Sequence, residues 1–202
     1  MRQIKINESQ YKSIMSRSFR GEKKKHIEEM LAYHGSRADF DNFSLAYIGT
    51  GVGAQEFGYG IYVTFEHEAA LGYGGICYTV QIPDIDQGNY IFYNEPIPED
   101  TMEEIYSQLL EINRYEDPET YADEQSCQDF IQELRDVMPA TEGRYLMYNI
   151  GKYVFEKTQV PMIMRNVGIT GFIYNNGKVT NGVMFNSRDI KILNKERLER
   201  IN

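Results

Sequence analysis

The sequence predicts an α+β fold, and three observations carry that prediction. Runs of β-favouring residues gather toward both ends of the chain. Between them lies an acidic stretch, 84–145, whose apolar residues recur at helical spacing. Near the C-terminus two β-rich runs, GFIY and VTNGVMF, meet across Asn176-Gly177, a dipeptide suited to tight hairpin turns.

Taken in order, Arg2 to Ile6 alternates and reads as a short strand, and Asn7 with Gln10 can cap a helix carrying Tyr11, Ile14 and Met15. Residues 20–25, RGEKKK, are either a solvated loop or a basic binding patch. MLAYHGS reads as a strand with a polar tip. A glycine-laced segment follows, then a strand over Ile61 to Phe65, a short helix over Glu68 to Tyr73, and a strand over Ile76 to Ile82 that Pro83 ends. In the acidic block, Thr101 and Glu104 have capping-box spacing, and Ile105, Leu109 and Ile112 form the apolar stripe of one helix. A second helix carries Phe130, Leu134 and Val137, with Phe130 and Leu134 facing inward like Ile105 and Leu109. A third spans Tyr145 to Glu156 and a shorter one lies near Pro161. The hairpin and a short last strand at Lys191 to Leu193 close the fold.

At 202 residues and 23.5 kDa the chain suits one domain, 1–202, with the block at 84–145 as a helical insertion upon it. Sixty-two residues with few apolar positions would make a poor core alone. Thirty acidic against 21 basic residues leave a net charge of −9. That balance weighs against nonspecific binding to nucleic acid or an anionic membrane, since both need lysine- and arginine-rich surfaces. Two cysteines, Cys77 and Cys127, are too few for a disulfide framework, and with three scattered histidines they predict no metal site. No apolar run approaches membrane-spanning length and the N-terminal residues lack a signal-peptide core, so the expected location is the cytoplasm.

Spacing excludes several catalytic motifs. A G-x-G-x-x-G starting at Gly51 would need glycine at Glu56, and no Gly-Lys-Ser/Thr follows. His67-Glu68 opens a zinc-binding H-E-x-x-H, but position 71 is leucine. What remains is Tyr33-His34-Gly35-Ser36, then Gly58-Tyr59-Gly60-Ile61-Tyr62, then Tyr73. Glycines let backbone amides approach a flat ligand, tyrosines can sandwich it, and a histidine and a serine can hydrogen-bond its hydroxyls.

That constellation resembles the nicotinamide pocket of diphtheria-toxin-like and poly(ADP-ribose)-polymerase-like ADP-ribosyltransferases. In these, H-G-S stands on one strand, G-x-G-I-Y-F on the next, and a further tyrosine lies eleven residues on, as Tyr73 does from Tyr62. GTGVGAQEFGYGIYVT, NVGITGFIY and TNGVMFNSRDIKIL are more similar still to the ADP-ribosyltransferase-like domains of phage and mobile-element proteins. The likeness covers roughly 30–82 and 160–193 and leaves the acidic block unexplained. It implies a split core of two sheets, with His34 and Tyr62 on neighbouring strands facing one cleft. It implies NAD as the ADP-ribose donor: Gly35 would meet the carboxamide, His34 the adenosine ribose, Ser36 the same pocket, and Tyr62 and Tyr73 the two ring faces. Ala70 stands where polymerase-like members have a serine, and Asn181 where the family has its catalytic glutamate. Glu56 is a carboxylate that could act in its place if the glycine-rich loop folds over the ligand. His34, Tyr62 and Asn181 are thus the implied catalytic set, in a mono-ADP-ribosyltransferase acting on an acceptor, protein rather than nucleic acid. Two other readings stand beside this one: an NAD- or ADP-ribose-binding module without turnover, and an interaction protein whose acidic helices contact a partner.

Overall fold

The computed structural model describes residues 29–50, 55, 57–85 and 89–197. The strand and helix expected before residue 29, and the basic run 20–25, lie outside them. The chain forms β1 (Glu29–Ser36), β2 (Ile61–Thr64), α1 (His67–Leu71), β3 (Ile76–Pro83) and β4 (Tyr90–Phe92). Then come the helices α2 (Glu99–Glu116), α3 (Glu124–Val137), α4 (Gly143–Asn149) and α5 (Gln159–Asn166). β5 (Gly171–Asn175), β6 (Thr180–Met184) and β7 (Lys191–Arg197) complete the fold, which is α+β. Among the described residues no helix is long and apolar enough to cross a membrane.

Among the described residues all seven strands belong to one sheet, in the order β4-β5-β6-β2-β1-β3-β7. The expectation of two sheets is corrected accordingly. Its two halves nevertheless meet weakly. β1 pairs with β3 along its whole length, whereas β1 and β2 share one bridge pair, Tyr33 with Thr64. Strand alternation sends successive side chains to two apolar clusters, one on each face. Phe172, Tyr174, Val183 and the inward faces of α2, α3, α4 and α5 make the first. Ile61, Val63, Ile76, Tyr78, Val80, Ile173 and Met184 make the second.

The helical stripes fall as the spacing predicts: Ile105, Leu109, Phe130 and Leu134 are all buried in the first cluster. Boundaries moved for local reasons. α2 starts at Glu99, with Pro98 as its cap, so Thr101 lies inside the first turn and forms no capping box. α3 is capped by Asp123, whose carboxylate accepts from Ser126 N–H at 2.8 Å. The helix expected over Tyr145 to Glu156 ends at Asn149 and tightens into a 3-10 turn over Ile150–Lys152. The acidic block is not wholly helical, since β4 lies within it and pairs parallel with β5 at the sheet edge. The β5–β6 hairpin turns over 176–179, where Asn176 N–H donates to the Val179 carbonyl and Gly177 supplies a φ of 86°.

Candidate functional site

His34, Gly35 and Ser36 stand on β1 and Tyr62 on β2, the two strands that meet at the seam between the sheet's halves, whereas Asn181 stands one strand further on, in β6. Beyond Tyr33–Thr64 the ladder stops, although register would next set Gly35 opposite Tyr62. A side-chain bond spans the gap: His34 Nδ1 lies 2.7 Å from the Tyr62 carbonyl oxygen. A carbonyl only accepts, so Nδ1 carries the proton. Burial holds the imidazole below its ordinary value, against the opposing pull of that hydrogen bond. The ring is therefore neutral at pH 7, and its Nε2 keeps a lone pair able to accept a hydroxyl proton.

Gly35 is required by close approach. A Cβ there would collide with the Ala70 carbonyl oxygen and come within 2.9 Å of the Tyr73 Cβ. α1 thus lies directly on β1, bringing Ala70 and Tyr73 to Gly35 from 35 and more residues away in sequence. Tyr33 and His67 meet edge-on at 5.2 Å on the same side. Ala70 is fully buried, and Tyr73, just past α1, keeps 51% of its surface exposed. The Tyr62 hydroxyl donates to the Gly58 carbonyl at 2.8 Å and accepts from Phe57 N–H at 3.1 Å, which fixes the ring against the end of the glycine-rich loop.

Faces can be assigned from alternation. Tyr62 packs with the first cluster while its neighbours Ile61 and Val63 belong to the second. Asn181 pairs with Thr64 and Tyr174, so it shares the Tyr62 face, one diagonal step away. It is 8% exposed, and its amide donates to the Val179 carbonyl at 3.1 Å. His34, by contrast, sits among the rings of Phe40, Phe43 and Tyr78 on the second face. The expectation that His34 and Tyr62 face one cleft is corrected: they occupy neighbouring strands but opposite faces. The physical reason is that residues directly across an antiparallel pair share a face, and Tyr62 stands across from Gly35, not His34. Ser36 turns elsewhere too, its hydroxyl accepting from Ala38 N–H at 3.1 Å. Gly35, Tyr62, Ala70, Tyr73 and Asn181 therefore share one face, with His34 reaching through the seam from the other. Glu56 lies outside the described residues.

The aromatic wall around His34 was not anticipated. Phe40 stacks on Tyr78 at 4.4 Å, and the Tyr78 hydroxyl donates to Ala38 O and accepts from Phe40 N–H. Lys195 bonds Asp39 and Asp41, and Arg197 bonds Asp39, tying this loop to β7. The sequence signal was present, in Phe40-x-x-Phe43 and in Tyr78 on the buried alternation of β3. Cys77 offers no nucleophile: burial first, then Glu196 and Glu68, push its thiol up to about 11. Among the described residues no His, Cys, Asp or Glu cluster is placed to hold a metal ion. Two surface cavities, of about 340 and 170 Å³, lie away from these residues, the smaller one sharing Gly58 with the Tyr62 hydroxyl.

No protein-family model matches the chain, and no curated protein matches it. Among solved structures, one described as the crystal structure of an anti-CRISPR protein is similar at a TM-score of 0.38 and 11% identity, over 83% of this chain and 96% of that one. A likeness of that degree carries no functional argument.

Proposed function

We propose that the chain is an NAD-dependent mono-ADP-ribosyltransferase, on the ADP-ribosyltransferase pattern its motifs resemble. One observation carries the reading: the sheet parts where His34, Gly35 and Tyr62 meet, and α1 delivers Ala70 and Tyr73 to that same opening. The nicotinamide of NAD would lie on the Tyr62 face against Gly35, and His34, on the far face, would position Tyr62 through its bond to the Tyr62 carbonyl. In transfer, the bond between the nicotinamide nitrogen and the ribose carbon breaks with its electron pair passing to nicotinamide. A nucleophilic atom of the acceptor supplies the pair for the new bond and loses a proton to water. Asn181 would orient the ribose 2′-hydroxyl, contributing less to a developing cation than a carboxylate would.

A second reading, a binding module without turnover, is favoured by one particular feature. Asn181 brings no negative charge, and its amide already donates to the Val179 carbonyl in the hairpin turn that precedes β6. Incubation with labelled NAD and cell extract separates the two. Label transfer with nicotinamide release supports the enzyme, binding without release supports the module, and no binding overturns both. In either case Tyr73→Ala is expected to weaken NAD binding severalfold, the ~1 kcal/mol of a lost ring contact. Calorimetry showing unchanged affinity would remove Tyr73 from the pocket.

A further inference from the structure

The groove between α2 and α5 has no part in the seam. It encloses about 340 Å³, with Glu111, Ile112, Tyr115 and Glu116 on one wall and Gln159 and Met162 on the other. α2 buries Met102, Ile105, Tyr106 and Leu109, and Ile112 and Tyr115 continue past that stripe toward solvent. Tyr115 is 84% exposed and Met162 37% exposed. Asn166 donates to Gln108 at 3.0 Å across the helices, holding the groove's width.

Charge says what such a groove would accept. Residues 84–145 hold 17 of the 30 acidic side chains and three of the 21 basic ones, with no lysine, so the block carries −14 and the remainder of the chain +5. Two of the three arginines are engaged, Arg135 by Glu103 and Arg144 by Glu142. The groove's own lining agrees on its α2 side: it holds two carboxylates, Glu111 and Glu116, and no lysine or arginine, so the apolar strip has a border that repels phosphates and attracts cations. We propose that this groove docks a lysine- or arginine-rich segment of another protein, with an apolar anchor seated between Tyr115 and Met162 and basic flanks over Glu111 and Glu116. The geometry suits an amphipathic basic helix laid in a helix-lined groove. Hot-spot tyrosines and electrostatic steering would divide the work between residence time and encounter rate.

The test uses the full chain and a fluorescent amphipathic peptide of lysine and leucine, titrated by anisotropy at two salt concentrations. Binding is expected, weakening as salt rises. Combined Tyr115→Ala and Met162→Ala should cut affinity about tenfold, the scale of an interface anchor. Glu111→Gln with Glu116→Gln should lower affinity chiefly at low salt. Tyr47→Ala, at a tyrosine that is also largely exposed but lies outside the groove, should change nothing. These side chains are at the surface, so circular dichroism should be unaltered. Equal binding by the Tyr115/Met162 variant would overturn the proposal, since the peptide would then be held by bulk charge alone. Comparable binding of a glutamate–leucine peptide, or tighter binding of duplex DNA, would overturn the choice of partner.

Discussion

Along its β3 edge, β1 is paired from Glu29–Pro83 to Ser36–Ile76 without a break; along its β2 edge it makes the one pair Tyr33–Thr64. The same eight residues serve both edges, so local propensity does not account for the difference. On the β3 side, Ala32 aligns with Val80 and His34 with Tyr78, and the second cluster's alternation fixes the register. On the β2 side, α1 presses on Gly35 and the His34 imidazole reaches the Tyr62 carbonyl. A sheet can thus be closed by packing at one edge of a strand and held open by a helix and a side chain at the other. A ladder that stops short leaves its backbone groups to other partners, here a side chain from the neighbouring strand.

The comparison breaks most sharply by removing a ring from each side. Tyr78 is fully buried, stacked on Phe40 and bonded through its hydroxyl to the loop 38–40. Tyr78→Ala is expected to cost about 3–5 kcal/mol, as for other large-to-small core changes. Half-exposed Tyr73 has no such cavity to leave, and Tyr73→Ala should stay within about 1 kcal/mol. Denaturant midpoints with unchanged slopes read both. Comparable losses would mean that the seam is as tightly packed as the ladder.

Asn181 is the next step down. Asn181→Ala should lower any transfer about tenfold, roughly one transition-state hydrogen bond. Asn181→Glu should raise NAD hydrolysis, because a carboxylate favours the developing cation. Nicotinamide release measures both. Full activity in the alanine variant would remove β6 from catalysis even with NAD binding intact.

How far the sequence reached differs between the same two regions. Helical stripes, the Asn176-Gly177 hairpin and the β3 alternation were legible because each is set by period and turn chemistry within a short window. β4 was not: Tyr90-Ile91-Phe92 is three residues long and is a strand because β5 lies beside it. The site residues were named by their motif, and Gly35, Ala70 and Tyr73 do come together. Their faces were not legible, since which residue stands opposite Tyr62 depends on a register set by one long-range bridge. Phe40 and Phe43 escaped notice because Tyr78, on which Phe40 stacks, lies 38 residues further along the chain.

The smallest expected effect is a pH dependence, and it tests the seam most directly. Burial among Phe40, Phe43 and Tyr78 lowers the His34 pKa from its ordinary 6.5, and the hydrogen bond to Tyr62 only partly opposes this. The folded chain then binds fewer protons than the unfolded one once the pH falls below about 6.5, so stability is lost as the pH drops toward the folded-state value and is fully present above 6.5. One imidazole can change the slope by no more than one proton. Unfolding midpoints measured from pH 8 to pH 5 should fall on acidification, and His34→Gln should flatten that fall because the amide does not titrate. At low pH the protonated ring must leave its aromatic wall or remain there at a cost, and either event loosens the Nδ1–Tyr62 tie. NAD affinity should then weaken over the same interval in the native chain and not in His34→Gln. A wild-type profile as flat as the variant's would mean that His34 is not held neutral in the seam, and its part in positioning Tyr62 would fall with it.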